Sequence, residues 1–474
     1  MPSNALDYTP PHSEKRWSVG TLTYNSRGLG KVFFWMLWGD FCLMLMDAGP
    51  GNYLPTLLLD AQGASSATIG LVKGTILQAM TLLLVAPIST WSDRHRGPLG
   101  RRMPFMLYST PFIALFLICL GFSVPIANWL HAHAPQLFGG IAIVSLTIGV
   151  IAASYTLYKL FDLFPQAVYY YLLTDVIPHK LMGKFTSWLR VCSTAGSAVF
   201  NFFLLGQCAK HPGAICAGVG ILYLVTFVLL CLLVKEGDYP PPEPRANRRS
   251  IARIQENVST YARECYSLGY YWKIYLYNLC FVMSILPLGN FLILYAKHEL
   301  GMNEGLFGKV MFWRDLMQIP VFLAMGPIVD RFHPLRAGVF GYAMLALSSI
   351  SAFLFIRGTG TFMLCVMFLY FAVAVYQGCL LALGPRIFPR DKYGQFCSAN
   401  SMVISLGTMP GMWVCGNFLD IMHSHRFVFL WFFCFSTIGA ILIWTVYLQW
   451  KRLGGDEHYE PPLKGPTAEP TQVV

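Results

Sequence analysis

The chemistry in this chain is set by ionisable side chains that stand inside otherwise apolar stretches: Asp40, Asp47, Lys73, Lys159, Asp162, Arg190, Lys309, Arg314 and Asp315. A charge at the centre of a membrane helix costs roughly 2.5–3.5 kcal/mol on insertion scales, so each implies a partner or a wet cleft. Asp40 and Asp47 are seven residues apart, two turns along one helix face, and no basic residue in their stretch offsets them. The Gly49-Pro50-Gly51 break that follows frees backbone carbonyls to line a cavity. Lys159 and Asp162, three apart, are spaced to pair. Arg314 and Asp315 are adjacent, and with Lys159 they read as ion-pair or cavity charges. Lys73 and Lys309 read as snorkelling or pairing rather than binding. Such a set suits a polar cavity. Carboxylates accept hydrogen bonds from solute hydroxyls, an arginine orients or neutralises one of them, and low dielectric favours the protonated carboxyl. Asp40, Asp47 and Asp162 are therefore the candidates for proton or cation coupling. Trp38 and Trp313 offer flat faces for a solute ring, with packing as the competing role.

The elements that must position these residues follow from composition. The 474 residues are 55% hydrophobic and only 12% charged, with a mean hydropathy of +0.52. Soluble chains carry roughly 25% charged residues, so lipid must be the solvent for most of the surface. The net charge of +11 does not point to nucleic acid, because the basic residues sit in short loops between apolar runs. Most of the thirteen cysteines lie within those runs and no C-x-x-C spacing occurs, so metal and disulfide roles are not expected. The absence of HExxH, Gly-x-Ser-x-Gly and nucleotide-loop motifs argues against an enzyme. The polar first thirty residues lack a signal-peptide core, which leaves the first span to direct insertion.

A span needs about twenty apolar residues. Twelve are expected, near 32–58, 67–90, 104–126, 138–174, 184–207, 213–235, 272–297, 305–329, 336–356, 361–387, 394–420 and 425–450. The fourth is too long for one straight crossing, and Pro165 predicts a bend or an overhang. With both termini inside, 25 of the 34 Lys and Arg fall on the cytoplasmic side, the asymmetry that the positive-inside rule demands. The organisation is thus a cytoplasmic tail (1–31), a six-helix bundle (32–235), a linker (236–271), a second six-helix bundle (272–450) and a disordered cytoplasmic tail (451–474). Within the linker, Ile251, Ile254, Val258, Tyr261 and Cys265 recur at helical spacing and predict an amphipathic helix on the inner membrane surface. Trp129, Trp444 and Trp450 at span ends read as an interfacial belt.

The two bundles are related. Asp40-Phe41-Cys42 is matched by Asn278-Leu279-Cys280, Gly51-Asn52-Tyr53-Leu54 by Gly289-Asn290-Phe291-Leu292, and Asp93-Arg94 by Asp330-Arg331, at offsets of 238, 238 and 237. Residues 177–185 are matched by 388–396 at an offset of 211, as expected if the third and fourth spans are longer in the first half. A parallel repeat of six spans is the organisation of the major facilitator superfamily, whose halves rock about a midplane site.

Residues 92–105, with Asp93-Arg94 and Gly100-Arg101-Arg102-Met103-Pro104, resemble the loop between the second and third spans of glycoside–pentoside–hexuronide cation symporters, the melibiose permease and sucrose carrier group. A carboxylate among guanidiniums there can form a latch that breaks and remakes as the gate moves. Asp93, Arg94, Arg101 and Arg102, with Asp330 and Arg331 of the repeat, are the expected cytoplasmic gate. The stretch from Tyr158 to Arg190 is similar to the one carrying a sugar-binding Asp and, in the next helix, an Arg. Gly39-Asp40-Phe41 resembles the position of a further sugar-binding Asp. The resemblance implies Asp40, Asp162 and Arg190 as substrate ligands; Trp38 is added to them from its own position, two residues before Asp40, as a stacking face for the solute. Two departures stand out. Residues 78–87 hold none of the paired carboxylates of sodium-using members, and Gln166 stands where those symporters place a sugar-stacking Trp.

The expectation is a monomeric secondary transporter of the inner or plasma membrane. It would carry a sugar, glycoside or similar polar solute by alternating access, without cofactor, coupled to protons, with sodium the alternative ion. A lysolipid or drug carrier of the same fold and a non-transporting receptor are the competing readings.

Overall fold

The computed structural model describes residues 17–237 and 251–462. A hairpin (Trp17–Val19 with Leu22–Tyr24) leads into twelve long helices. The first six are α1 (Ser26–Ala61), α2 (Ser66–Arg94), α3 (Met103–Gly121), α4 (Ile143–Val176), α5 (Met182–Gln207) and α6 (Pro212–Leu233). The second six are α7 (Gly269–His298), α8 (Glu304–Phe332), α9 (Pro334–Phe355), α10 (Thr359–Ile387), α11 (Tyr393–Met422) and α12 (Phe427–Arg452). Among the described residues, all but α8 are long and apolar enough to cross a membrane. α8 has the length, at 29 residues, but Lys309, Arg314 and Asp315 interrupt its apolar run. The chain is an all-α polytopic membrane protein.

Within the first bundle α3 packs on α4 and α6, and α1 on α5 and α6; within the second, α12 packs on α7 and α9, and α10 on α8 and α9. The bundles meet along α2–α11 and α5–α8. The end that carries the 95–102 loop, the 17–24 hairpin, the start of α7 and residues 453–462 is here termed the basic end. The tightest cross-bundle approaches lie toward the other end, where glycines let backbones touch: Gly70 on Met412, Gly416 on Ser66, Gly308 on Asn201 and Gly206 on Gly305. Toward the basic end Tyr170, Trp188 and Arg190 are exposed.

Several boundaries differ from expectation. α1 starts at Ser26 because Asn25 caps it, accepting from the Gly28 N–H at 2.7 Å. α4 runs unbroken through Pro165 for 34 residues, about 50 Å at 1.5 Å per residue, so its excess length becomes overhang. A helix outside the twelve, Ser123–His133, follows α3. The linker helix (Ile251–Tyr266) rests on protein at its described side chains. Tyr261 and Tyr266 donate to the Gln395 and Ala399 carbonyls of α11, and Glu264 pairs with Lys392 at 2.8 Å. The last tail was expected to be disordered, but its residues up to Pro462 are anchored: Tyr459 donates to the Ile387 carbonyl and Tyr271 to that of Pro462. Residues 463–474 lie outside the described ones. Trp450 is buried between His333 and Tyr459 rather than at an interface.

Candidate functional site

The centre of the site is made by an irregularity in α1. Pro50 has no N–H to give the helix, and Gly49–Tyr53 widens into a single π turn. The Phe200 ring of α5 occupies the space a Gly49 side chain would need. At Gly51 a Cβ would stand 2.8 Å from Asp47 Oδ1 and 3.3 Å from Lys159 Nζ, so the missing side chain leaves room for an ion pair. Tyr155 donates to the Gly51 carbonyl at 3.0 Å. Lys159 of α4 then bridges two carboxylates, Asp47 Oδ1 at 2.8 Å and Asp162 Oδ2 at 3.1 Å. Gln166 donates to the same Asp162 oxygen at 2.7 Å. The Asp162 side chain is wholly buried and its Oδ1 has no hydrogen-bond partner, while the Asp47 side chain is 46% exposed. Lys159 thus links a fully buried carboxylate to a partly exposed one.

α2 carries a second π turn, Leu71–Thr75. It delivers Lys73 Nζ to the Asn52 carbonyl (2.6 Å), Asn52 Oδ1 (3.1 Å) and Thr56 Oγ1 (2.6 Å). Lys73 is buried and does not snorkel, because three neutral oxygens use its three donors.

Asp40 is also buried, with Ser193 Oγ of α5 donating to Oδ2 and Tyr170 of α4 donating to Oδ1 at 3.4 Å. Arg190, expected to neutralise a carboxylate, exerts its charge on Asp40 from a distance and lays its guanidinium 5.1 Å over the Phe322 ring of α8, across the bundle boundary. Trp38 is not brought to this group; it donates to Thr226 of α6 at 3.2 Å and stacks between Phe34 and Phe41, because residues 38 and 40 face different sides of one helix.

Arg314 and Asp315 pair at 2.5 Å. Asp315 also accepts from Ser197 (2.9 Å) and Asn201 (2.8 Å) of α5, so the pair ties the second bundle to the first. The Arg314 guanidinium lies 4.7 Å over the Tyr370 ring.

At the basic end, Arg101 and Arg102 both reach Asp175 of α4, at 3.0 and 3.1 Å, and Arg102 reaches Asp93 at 3.8 Å. Glu236 accepts from the N–H groups of Arg101, Arg102 and Met103, an anion at the start of α3. Burial pushes its carboxyl above the usual range against the pull of those bonds. Arg94 is exposed and Arg331 lies over the Phe332 ring; the Asp330 side chain lies outside the described ones. At the opposite end, Asp60 of α1 takes Lys297 at 2.8 Å and His298 at 2.7 Å from α7. Asp420 of α11 accepts from the Ser66 and Ala67 N–H groups at the start of α2, and His425 meets Ser66 Oγ at 3.2 Å.

Sequence reasoning found the buried charges but missed Asn52, Thr56, Tyr170, Asp175, Ser193, Asn201, Glu236, Asp420 and His425. The Asp60–His298 contact did have a signal: the two are 238 residues apart, the repeat offset itself.

The family model for the Major Facilitator Superfamily matches residues 36–412. No curated protein matches the sequence. Among solved structures, a bacterial homologue of the iron transporter ferroportin in its inward-facing state is similar over 88% of this chain and 99% of its own, at 15% identity and a TM-score of 0.65. The outward-facing form of a bacterial ferroportin homologue reaches 0.51. The nucleoside transporter NupG is similar over 88% of this chain and 100% of its own (12% identity, TM-score 0.61). The xylose transporter XylE from E. coli in an inward-open conformation is similar over 89% and 95% (14% identity, TM-score 0.60).

Proposed function

Because this chain belongs to the major facilitator superfamily, we propose that it is a proton-coupled secondary transporter of a neutral, hydroxyl-bearing solute of sugar or glycoside type. The observation that carries the reading is the Asp47–Lys159–Asp162 chain, which joins a partly exposed carboxylate to a fully buried one through a single ammonium.

Charge balance favours a neutral cargo. Lys73 and Lys159 offset Asp47 and Asp162, Arg190 offsets Asp40 and Arg314 offsets Asp315, so these charges sum to zero and a net-charged solute would enter low dielectric with no surplus counter-charge to meet it. Asp40, Asp162 and Arg190 serve as solute ligands, exchanging Tyr170, Gln166 and Phe322 for solute groups. Asp47, the partly exposed end of this chain, takes the proton; Lys159 then leans to Asp162, and the switched pairing biases the halves toward the other orientation. The carbon–oxygen chemistry of the solute is untouched. The packed end opposite the basic loops, and the better likeness to an inward-facing relative than to an outward-facing one, support an arrangement open toward the basic, cytoplasmic end of the inner or plasma membrane.

Proteoliposomes given an inward proton gradient should accumulate a sugar from a broad panel at least tenfold, and Asp47→Asn should reduce this to equilibration. Uptake that never exceeds equilibrium in the unaltered protein overturns the coupling, and no uptake of any sugar overturns the cargo class.

A further inference from the structure

We propose that the second bundle holds a solute subsite of its own, built on the amide pair Asn278–Asn400, for a neutral ring edge that presents a hydrogen-bond donor beside an acceptor. The proposal deepens the transporter reading and rests on it for its place in the cycle.

Asn278 occupies in the second repeat the position that Asp40 holds in the first. Each side chain reaches from the first helix of its bundle to the fifth: Asp40 to Ser193 of α5, Asn278 to Asn400 of α11. The outcomes differ. Both Asp40 oxygens are engaged, whereas the Asn278 amide donates to Asn400 Oδ1 at 3.1 Å and leaves its own Oδ1 without a partner, although the residue is 8% exposed. A buried amide oxygen without a partner is destabilising, and native folds tolerate such groups mainly where something else comes to satisfy them.

Room for that something is present. A cavity of about 200 Å³ lies between α7, α10 and α11, lined by Asn278 and Asn400 with Tyr277, Phe281, Phe388 and Cys397. Exposed Tyr393 also borders it. The volume suits one ring rather than a chain of them. Among the described residues no charged side chain lines it, so there an ionised ligand would meet no counter-charge. Turning both amides over still leaves the pair with one free NH2 group and one free carbonyl oxygen. The complement is a donor next to an acceptor on a neutral ring whose face packs on aromatic side chains. Adjacent hydroxyls of a sugar and the lactam edge of a nucleobase both supply it.

Cys397 is a native reporter. In the purified full-length protein, its modification by N-ethylmaleimide, read by peptide mass spectrometry, should slow at least fivefold with millimolar D-glucose or with uracil. D-glucuronate should have no effect. Protection by glucose alone assigns the sugar edge, and by uracil alone the lactam edge. Asn278→Leu should abolish protection and raise the KM for uptake of the protecting probe at least tenfold. Asn400→Ser, at a less buried position, should raise it less. Failure of both neutral probes to protect the unaltered protein, or equal protection by glucuronate, overturns the subsite whether or not the variants fold. Protection with no proton-driven accumulation would instead overturn the coupling reading and leave the subsite standing.

Discussion

Lys159 separates two carboxylates that would otherwise share one polar pocket in the first bundle. Removing one member of a buried ion pair typically costs about 3–5 kcal/mol, because the partner is left charged and dry. Lys159→Ala is therefore expected to lower the melting temperature of the detergent-purified protein by several degrees. Adding Asp162→Asn should recover at least half of the loss, since the double variant no longer buries an unpaired charge. A double variant as unstable as the single one would show that Lys159 acts through packing alone. At this scale the sequence spoke clearly wherever a residue was expensive to bury. Asp40, Asp47, Lys159, Asp162, Arg314 and Asp315 stood out against an apolar background, and the structure gives each a polar partner. Ser193, Tyr170 and Gln166 carried no such signal, because small neutral polar residues lie in membrane helices at little cost. Their roles emerge only once α1, α4 and α5 are placed together.

α1, α2 and α5 each carry one π turn, at Gly49–Tyr53, Leu71–Thr75 and Phe200–Leu204. Each turn shifts the helix face by a fraction of a turn and aims a polar group at the site: Asn52, Lys73 and Asn201. Such single turns are frequent at functional sites. Gly49 is where two of them touch, since the Phe200 ring fills the space beside its Cα. Gly49→Ala should destabilise the protein by about 1–3 kcal/mol through overpacking. With Phe200→Leu in the same chain the two effects should fall short of their sum by at least ~0.5 kcal/mol, beyond ordinary additivity. Strict additivity in thermal unfolding would place the clash elsewhere. Hydrophobic run length made all twelve long helices legible to within a few residues at most ends. The π turns were not legible, because they depend on what packs beside a glycine. The linker helix was legible as amphipathic, but periodicity cannot say whether its apolar stripe meets lipid or α11.

Two halves related by one repeat must close on themselves, and the end opposite the basic loops shows how. Asp60 and His298 are equivalent positions, and they meet at 2.7 Å. Around them Lys297 joins Asp60, Asp420 holds the start of α2, and His425 sits against Ser66 with its ring 5.9 Å from that of His298. In the proposed cycle this cluster breaks when the carrier turns to face the other way. His425 lies in the loop between α11 and α12, and burial together with the neighbouring His298 pushes its imidazole below the ordinary range; Glu299, Asp60 and Asp420 pull the other way and are outweighed. The closed form therefore binds that proton less readily than an opened one. Closure is fully supported above the ordinary imidazole pKa of about 6.5, and weakens as pH falls from there toward the depressed value, by at most about 1.4 kcal/mol per pH unit. Nitroxide labels at Ala61 and Gly360, both exposed at this end, report the gap by pulsed electron resonance. Going from pH 7.5 to 5.5 should raise the long-distance population up to tenfold. His425→Gln, which keeps a polar group toward Ser66 but cannot titrate, should flatten the response, and Asp60→Asn should widen the gap at both pH values. A distance distribution that ignores pH in the unaltered chain would remove His425 from the gate. In the proposed orientation, with the basic end facing the cytoplasm, acid on the outside would open the carrier to the side from which protons are to be loaded, and the sign of this one titration would match the direction of the proposed symport.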